Sequence, residues 1–196
     1  MSGILNPPVV IAEPEFKDFG KIERFRTLTA LITEKLDGAN CQVYVPEDPQ
    51  APIKVGSRNQ WVTPQKDCMG MAAFLQANAE LFRMLGPGRH FGEWWGQGIQ
   101  RRYGLDEKRL WFFNVRRFAG GLPTPLIEAL GTRVGLVPVL YQGPFDSQVI
   151  QATIDKLYAE GSVAVPGWAK PEGVIIEFGG LRRKVTDNGD KHKGEA

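Results

Sequence analysis

Residues 28–45 constrain the fold most, because apolar and β-branched residues alternate with polar ones along this segment. Alternation with a period of two is typical of a β-strand that turns one face toward a core. The dipeptide Asp37-Gly38 interrupts the segment, and such a pair between two strand-like runs predicts a hairpin turn. We therefore predict an antiparallel β-hairpin with Lys35 at the end of its first strand.

The rest of the chain predicts more strands than helices. Apolar residues at helical spacing predict a helix over residues 67–85, and Asp146 and Gly161 predict the cap and the end of a second helix. Further strands are predicted at residues 53–58, 90–95, 110–117, 134–140, 173–178 and 181–185. The order lacks a regular strand–helix–strand alternation. The sequence thus predicts an α+β domain with antiparallel sheets, not a Rossmann fold.

The composition argues against several classes of protein. Only two cysteines and two histidines occur in 196 residues, which fits neither a disulfide scaffold nor a zinc cluster. Any metal is therefore expected to be a hard ion held by carboxylates and phosphates. We see no signal-peptide pattern and no apolar run long enough to cross a bilayer, so we predict a cytoplasmic (intracellular) protein without membrane contact. The net charge of +2 is too small to indicate nucleic-acid binding by itself.

Six short motifs follow one another along the chain. They read Lys35-Leu36-Asp37-Gly38, Ser57-Arg58-Asn59, Phe91-Gly92-Glu93-Trp94, Leu110-Trp111-Phe112-Phe113-Asn114-Val115, Pro171-Glu172-Gly173-Val174-Ile175 and Arg182-Arg183-Lys184. Each motif alone is short enough to arise by chance. In this order they resemble the motifs of the covalent nucleotidyltransferase superfamily, which contains DNA ligases, RNA ligases and mRNA capping enzymes. The resemblance covers roughly residues 20–186, nearly the whole chain.

The resemblance implies that Lys35 is a catalytic nucleophile. Its amine would attack the α-phosphorus of ATP, form lysyl-AMP and release pyrophosphate. Only a neutral amine can attack, and an ordinary lysine amine is protonated at neutral pH, so the site is expected to supply cations. The resemblance implies that Arg182 and Lys184 are two of these cations. Both would bind the nucleotide, and Lys184 would also be catalytic. Asp37 and Glu172 would position a metal ion, Mg2+ (or Mn2+).

The resemblance also implies a nucleotide pocket. Glu93 would hold the ribose hydroxyls, and Phe113 would stack on the purine ring. Arg58 would reach the ribose or the bound phosphate, although a solvated arginine beside a turn is the alternative there. Glu34 and Glu172 would also contact the nucleotide, with Glu34 reading the purine amino group. Strand alternation puts Phe113 on the face opposite its neighbour, whose ring is expected in the core.

The family pattern and this sequence differ in two respects. The fifth motif reads Arg182-x-Lys184, where lysine-x-lysine is usual, and this leaves the role of Arg182 open. Many ligases carry an appended OB-fold domain, and none is expected here. The resemblance instead implies an antiparallel-sheet nucleotidyltransferase domain of the ATP-grasp-like adenylation type over residues 1–186, followed by a polar tail at 187–196. A protein partner that supplies a clamp domain is therefore one possibility to test.

Asn40 distinguishes between members of the superfamily. DNA ligases and capping enzymes usually have arginine at its place, whereas nick-sealing bacteriophage-type RNA ligases have asparagine. The stretches Lys21-Ile22-Glu23-Arg24 and Gly92-Glu93-Trp94-Trp95-Gly96 are also similar to those of RNA ligases. The prediction is an ATP-dependent RNA ligase that passes AMP from Lys35 to a 5′-phosphate end and then joins a 3′-hydroxyl to that end. Asn40 would act in these later steps.

The expected partners are ATP and RNA ends or a nicked duplex. Phosphate contacts from basic side chains would hold the strand, with Arg101, Arg102, Arg116 and Arg117 as candidates. Three alternatives stay open: a minimal ATP-dependent DNA ligase, an mRNA capping guanylyltransferase, and a degenerate nucleotide- or RNA-binding module. Relative sealing rates of DNA and RNA nicks separate the first from an RNA ligase, and transfer of GMP would reveal the second.

Overall fold

A computed structural model of the chain describes residues 15–21 and 28–187. Within these ranges ten strands form two sheets. In chain order they are β1 (Thr29–Lys35), β2 (Ala39–Val45), β3 (Lys54–Gly56), β4 (Trp61–Val62), β5 (Gly88–Gly96), β6 (Lys108–Phe112), β7 (Val134–Leu136), β8 (Val139–Pro144), β9 (Gly173–Phe178) and β10 (Leu181–Thr186). The helices are α1 (Met71–Ala77), α2 (Ala79–Arg83), α3 (Thr124–Leu130) and α4 (Ser147–Glu160), with a 3-10 turn at Gly131–Arg133.

The first sheet has the strand order β10-β9-β1-β8, and the second has the order β4-β3-β2-β5-β6-β7. Neighbouring strands are antiparallel throughout, except for the parallel pair β6–β7. The predicted mixture of helices with antiparallel sheets is therefore confirmed. None of the helices in the described ranges is long and apolar enough to cross a membrane.

The predicted hairpin over residues 28–45 is wrong. β1 pairs with β8 and β9, whereas β2 pairs with β3 and β5, so the two strands belong to different sheets. The Asp37-Gly38 turn connects the two sheets instead of two paired strands. Alternation reports that a strand has one buried face, but it carries no information on the pairing partner.

The helix predicted over residues 67–85 is interrupted. α1 ends at Ala77 and α2 begins at Ala79, because the backbone of Asn78 leaves the helical region and its side-chain amide donates to the carbonyl oxygen of Phe74 at 2.8 Å. Asparagine competes for backbone hydrogen bonds in this way and is a poor residue for a helix interior. The second predicted helix is confirmed as α4. α3 follows Pro123 and carries a proline in its first turn, and no helix was predicted there.

Several strand boundaries also differ from the prediction. The run at residues 134–140 is divided at Pro138, and its two halves, β7 and β8, lie in different sheets. β6 ends at Phe112 and does not continue to residue 117. The predicted closing hairpin around Gly179-Gly180 is confirmed by the pairing of β9 with β10. Residues 22–24 of the RNA-ligase-like stretch and the tail from 188 lie outside the described residues.

Each sheet has one face covered by helices. α4 packs on the first sheet, where Ile32, Ile154 and Ile176 are buried together. α1, α2 and α3 cover the second sheet around a larger core that includes Trp94 and Phe112. The other two faces are turned toward each other. A third apolar cluster lies between these two faces and is formed by Leu31, Leu36, Trp95, Tyr103, Val115, Val137 and Ala164. This cluster closes one part of the space between the sheets, and the rest of that space is a cleft.

Candidate active site

Lys35 is the last residue of β1, as predicted, and its side chain lies at the edge of the cleft. Its Nζ is 2.7 Å from each carboxylate oxygen of Glu172. The side chains are only 24% and 15% exposed, so most of the pair is shielded from water. β9 places Glu172 there, because Lys35 lies opposite Gly173 in the register between β1 and β9. The lysine is thus held by a carboxylate that comes from a distant part of the chain.

A small cavity of about 180 Å³ lies directly beside Lys35. Both sheets contribute to its wall, and most of the predicted site residues meet there. The lining residues are Thr33, Glu34, Lys35, Leu36, Arg58, Glu93, Phe113, Ile175, Glu177 and Arg182. The structure therefore brings residues of all six motifs around a single space.

Glu93 is the most electrostatically perturbed of the cavity residues. Burial raises the pKa of its carboxyl to about 7, against the opposing effect of the Lys35 charge. The carboxylates of Glu172 and Asp37 raise the pKa of Glu93 further, whereas a hydrogen bond from the backbone of Gly38 lowers it. Near neutral pH the Glu93 carboxyl is therefore divided between a form that only accepts hydrogen bonds and a form that also donates one.

Phe113 follows the end of β6 and forms part of the cavity wall, while Phe112 is fully buried in the core of the second sheet. The two rings therefore lie on opposite faces, as strand alternation predicts. A hydrogen bond of 2.9 Å from the Phe113 amide to the carbonyl oxygen of Phe91 ties this segment to β5. The Phe113 ring offers a flat apolar surface at the cavity.

Glu34 makes contacts that the sequence does not predict. Its carboxylate accepts from Ser162 Oγ at 2.5 Å and from the backbone amides of Val163 and Ala164 at 2.9 Å each. In the register with β9 it lies opposite Val174, on the α4 side of the first sheet, whereas Lys35 points to the cleft. Burial raises the pKa of Glu34, and the three hydrogen bonds oppose that rise. The side chain fixes the loop after α4, and its reading of a purine stays a prediction.

Asp37 is part of an ion-pair cluster centred on Arg101. Arg101 Nε is 3.2 Å from Asp37 Oδ2, and Arg101 Nη2 is 2.8 Å from Asp187 Oδ1. The same guanidinium donates to the carbonyl oxygen of Lys170 at 3.2 Å. The structure thus ties Arg101 into the protein through these ion pairs, and its contact with the strand stays a prediction. Asp187 is likewise engaged, although it is the first residue of the predicted polar tail.

The turn after Lys35 is anchored from the same loop. The backbone amide of Asp37 donates to Tyr103 Oη at 2.8 Å, and Tyr103 is almost completely buried. Its ring contacts Trp95 edge-on at a centroid distance of 4.9 Å. No sequence motif marked Arg101 or Tyr103. The only local signal was the paired arginines at 101–102, which were predicted as candidates for phosphate contacts with the strand.

Gly38 is needed because it packs closely against β5, and not for a left-handed backbone. Its φ is not positive; instead, a Cβ atom at this position would lie 2.4 Å from the carbonyl oxygen of Trp94 and 2.8 Å from the Cβ of Trp95. Real Cβ atoms do not come so close to backbone, so only glycine fits between the turn and β5.

The remaining predicted residues surround the cavity. Arg182 Nε donates to Glu177 Oε1 at 2.7 Å at the cavity wall. Lys184 lies opposite Ile175 on β9, which puts it on the same face of the first sheet as Lys35. It is exposed and makes no ion pair with any residue in the described ranges. Asn40 lies next to the cavity, in a shallow depression shared with Arg58.

The carboxylates of the site fit a metal–nucleotide complex better than a preformed metal cage. Within the described ranges no three acidic, histidine or cysteine side chains are grouped so that they could hold a metal ion. Asp37, Glu93 and Glu172 are nevertheless close enough for Asp37 and Glu172 each to raise the pKa of Glu93. Mg2+ in proteins is usually bound by one or two carboxylates together with substrate phosphates and water. Asp37 and Glu172 can supply that contribution once phosphates are present.

The mixture of helices and antiparallel sheets resembles the nucleotidyltransferase fold of an RNA ligase. The chain belongs to the RNA ligase family, because the sequence pattern of that family matches residues 29–186. No curated protein matches the sequence.

Solved structures of Naegleria gruberi RNA ligase have a similar fold. A mutant solved with ATP and Mn matches with a TM-score of 0.55 at 21% identity, an apo mutant with 0.56 at 22%, and the protein with PPi with 0.53 at 21%. Each match covers 83% of this chain and 50% of the Naegleria chain. The chain therefore spans about half the length of these ligases, and at this identity the likeness shows the fold.

Proposed function

We propose that this protein is an ATP-dependent RNA ligase that forms its covalent lysyl-AMP intermediate on Lys35. The observation that carries the proposal is the position of the Lys35 amine, which is held by Glu172 at the wall of a cavity that also contains Glu93 and Phe113. Membership of the RNA ligase family supports the reaction type. The ATP, AMP and PPi bound in the Naegleria ligase structures support ATP as the donor.

The first step joins Lys35 to AMP. Lys35 Nζ attacks the α-phosphorus of ATP, a P–N bond forms, and the bond to the pyrophosphate leaving group breaks. The amine must lose a proton to attack. Glu172 lies at hydrogen-bond distance to accept it, and burial raises the pKa of Glu172, which makes its carboxylate a better base than an exposed one. Glu172 would thus act as the general base for Lys35.

The cavity residues would orient the nucleotide. Phe113 stacks on the purine, Glu93 binds the ribose hydroxyls, and Arg58, Arg182 and Lys184 contact the phosphates. A bound Mg2+ or Mn2+ near Asp37 and Glu172 would neutralise phosphate charge. Glu177 competes for Arg182 in the free protein. Arg182 therefore has to exchange Glu177 for a phosphate when the nucleotide enters.

Two further steps complete the proposed reaction. The 5′-phosphate end of a strand attacks the AMP phosphorus, and Lys35 leaves. A 3′-hydroxyl then attacks the activated end and AMP leaves, so that a 3′–5′ phosphodiester is formed. Asn40 borders the cavity on the side of Arg58, where the strand ends would meet. The bacteriophage-type subclass, the ATP-grasp-like description of the domain and a cytoplasmic location belong to the same proposal.

Covalent labelling tests this proposal. After incubation with α-labelled ATP and Mg2+, the wild-type protein should carry a label that survives denaturing electrophoresis. Lys35→Ala should lose the label completely, because it lacks the amine nitrogen that forms the bond to phosphorus. Lys156→Ala, which removes an exposed lysine from α4, is the matched control and should label like the wild type. Label on Lys35→Ala contradicts the proposal, and more label from GTP than from ATP would point to guanylyl transfer instead.

A further inference from the structure

The second sheet carries an unusual set of side chains on the face that continues from the cleft. Aromatic and cationic residues alternate there across β2, β3, β4 and β5 and are partly or largely exposed. We call this set the aromatic–cationic strip, and it consists of Gln42, Tyr44, Lys54, Trp61, Arg89 and Phe91.

Strand register places the strip on the same face as the candidate active site. Asn40 lies opposite Glu93, Gln42 opposite Phe91, and Tyr44 opposite Arg89. Residues two apart on a strand share a face, so all three pairs point the same way. Tyr44 lies four positions beyond Asn40, which is a distance of about 13 Å at the usual rise of a strand. The strip therefore begins at the site and leads away from it.

The aromatic rings of the strip offer exposed apolar surface. The Trp61 indole covers Gly56, where a Cβ atom would be 3.3 Å from the ring. Trp61 is 46% exposed and Phe91 44% exposed. Exposed aromatic side chains of this size are a cost in water unless they have a ligand to cover them.

The cations of the strip lie directly among these rings. The Arg89 guanidinium is 5.2 Å from the Tyr44 ring centroid and 5.5 Å from that of Trp61. Lys54 Nζ is 5.9 Å from the same Trp61 ring. Neither cation forms an ion pair with any residue of the described ranges. Their charge is therefore held at the aromatic surface but is not neutralised.

We infer that the aromatic–cationic strip binds a single-stranded stretch of the polynucleotide next to the end being joined. Rings that stack on bases, combined with cations that contact phosphates, are how proteins hold single strands without reading sequence. Lysine is depleted in protein–protein interfaces, so Lys54 beside Arg89 favours a polyanion over a protein partner. The inference rests on the proposed function, since it takes the strand end to lie at Lys35 and Asn40.

Binding of a short fluorescein-labelled oligouridylate, followed by anisotropy, tests the inference. Trp61→Ala should weaken binding by roughly 5- to 100-fold, the range seen when a stacking aromatic is removed. Arg89→Gln should weaken it as well and lower the slope of log K against log salt by about 0.7, because one phosphate contact is lost. Lys156→Gln removes the same charge from the far side of the first sheet and should bind like the wild type.

Covalent adenylylation with labelled ATP separates the two proposals. It needs no RNA, so Trp61→Ala and Arg89→Gln should label at the wild-type rate. If the wild type does not label but these variants still bind RNA more weakly than the wild type, the ligase proposal fails and RNA binding by the strip is supported. If Trp61→Ala and Arg89→Gln bind the oligouridylate as tightly as Lys156→Gln does, the strip does not bind RNA. If the two variants lose as much affinity for a blunt RNA duplex as for the single strand, the assignment to single strands is wrong. Should Trp61→Ala not fold, Trp61→Leu keeps apolar bulk without the stacking ring and should still lose affinity.

Discussion

At the scale of single residues, the turn after the nucleophile depends on the absence of a side chain at Gly38. The turn passes so close to β5 that a methyl group would overlap the carbonyl oxygen of Trp94. The contact also brings the Gly38 backbone within hydrogen-bond reach of Glu93. The position of Lys35 is therefore tied to β5 through Gly38, three positions further along the chain.

Gly38→Ala should consequently move the turn away from β5. We expect a loss of stability of about 1–3 kcal/mol, as for other overpacked sites, and a large loss of adenylylation. Urea unfolding and labelling with ATP measure the two effects. Gly120→Ala is the matched control, because nothing lies within 4 Å of a Cβ atom there, and it should change neither quantity. A Gly38→Ala protein that labels normally would show that the turn tolerates a shift.

The raised pKa of Glu93 predicts a dependence of stability on pH. The pKa of this carboxyl is 4.5 in the ordinary case and about 7 here, so the folded protein binds the proton more tightly than the unfolded chain. The stability that this proton contributes is present in full below about pH 4.5 and is lost as the pH rises to about 7.

Glu93→Gln removes that titration and keeps the shape of the side chain. The variant should become more stable relative to the wild type as the pH rises from about 5 to about 8, by roughly 1–3 kcal/mol in all. Thermal unfolding of both proteins across this range measures the difference. Glu34 and Glu172 are present in both proteins, so the difference reports the loss of the Glu93 carboxyl together with its interaction with Glu172. Glu128→Gln, at an exposed position, should follow the wild type, and a difference that does not vary with pH would refute the assignment.

At the scale of elements, the loop between β5 and β6 holds the active-site turn in place. Its residues Gln100, Arg102 and Tyr103 all have positive φ angles, which are uncommon outside glycine. This backbone presents Arg101 to Asp37 and Tyr103 to the amide of the same residue. Unfavourable backbone angles of this kind persist where surrounding contacts compensate for them, as the ion pairs and ring contacts do here.

Arg101→Gln should release Asp37 and Asp187 from each other. We expect adenylylation to slow by roughly 10- to 100-fold, since a small displacement of reacting groups has effects of that size. The Mg2+ concentration needed for half-maximal rate should also rise, because Asp37 is no longer oriented; a merely structural residue would leave it unchanged. Arg102→Gln changes the exposed neighbour and should keep the wild-type Mg2+ dependence. An unaltered Mg2+ dependence in Arg101→Gln would show that Asp37 does not act on the metal.

At the scale of the whole molecule, the two sheets are joined through the site. Lys35 belongs to the first sheet, and Glu172 directly precedes strand β9 of that sheet. Glu93 lies in the second sheet and Phe113 directly follows its strand β6. A ligand in the cavity contacts both sheets, so it should stabilise them as one unit.

ATP with Mg2+ should therefore raise the melting temperature of the protein. A ligand at 100 times its dissociation constant stabilises the folded state by about 2.7 kcal/mol. Lys35→Ala should show the same kind of shift without forming the covalent bond, which separates binding from chemistry. Differential scanning fluorimetry measures both, with Mg2+ alone as the control. If ATP leaves the melting temperature of both proteins unchanged, nucleotide binding in this cavity is ruled out.

The sequence by itself determined the features that depend on near neighbours along the chain. Strand alternation placed Lys35 at a strand end, Asp146 and Gly161 marked the limits of α4, and the order of the motifs indicated the family. Alternation also separated Phe113 from Phe112. Each of these follows from periodicity, capping or a short pattern, and none requires knowledge of the tertiary packing.

Only the tertiary structure decided which strands pair and which charges meet. It placed β1 and β2 in different sheets, turned the Glu34 carboxylate toward the loop after α4, and joined Lys35 to Glu172 across 137 positions of sequence. It also made Arg101 an internal link to Asp37 across 64 positions. Contacts over such separations form when packed sheets bring the segments together, and local residue preferences do not encode them.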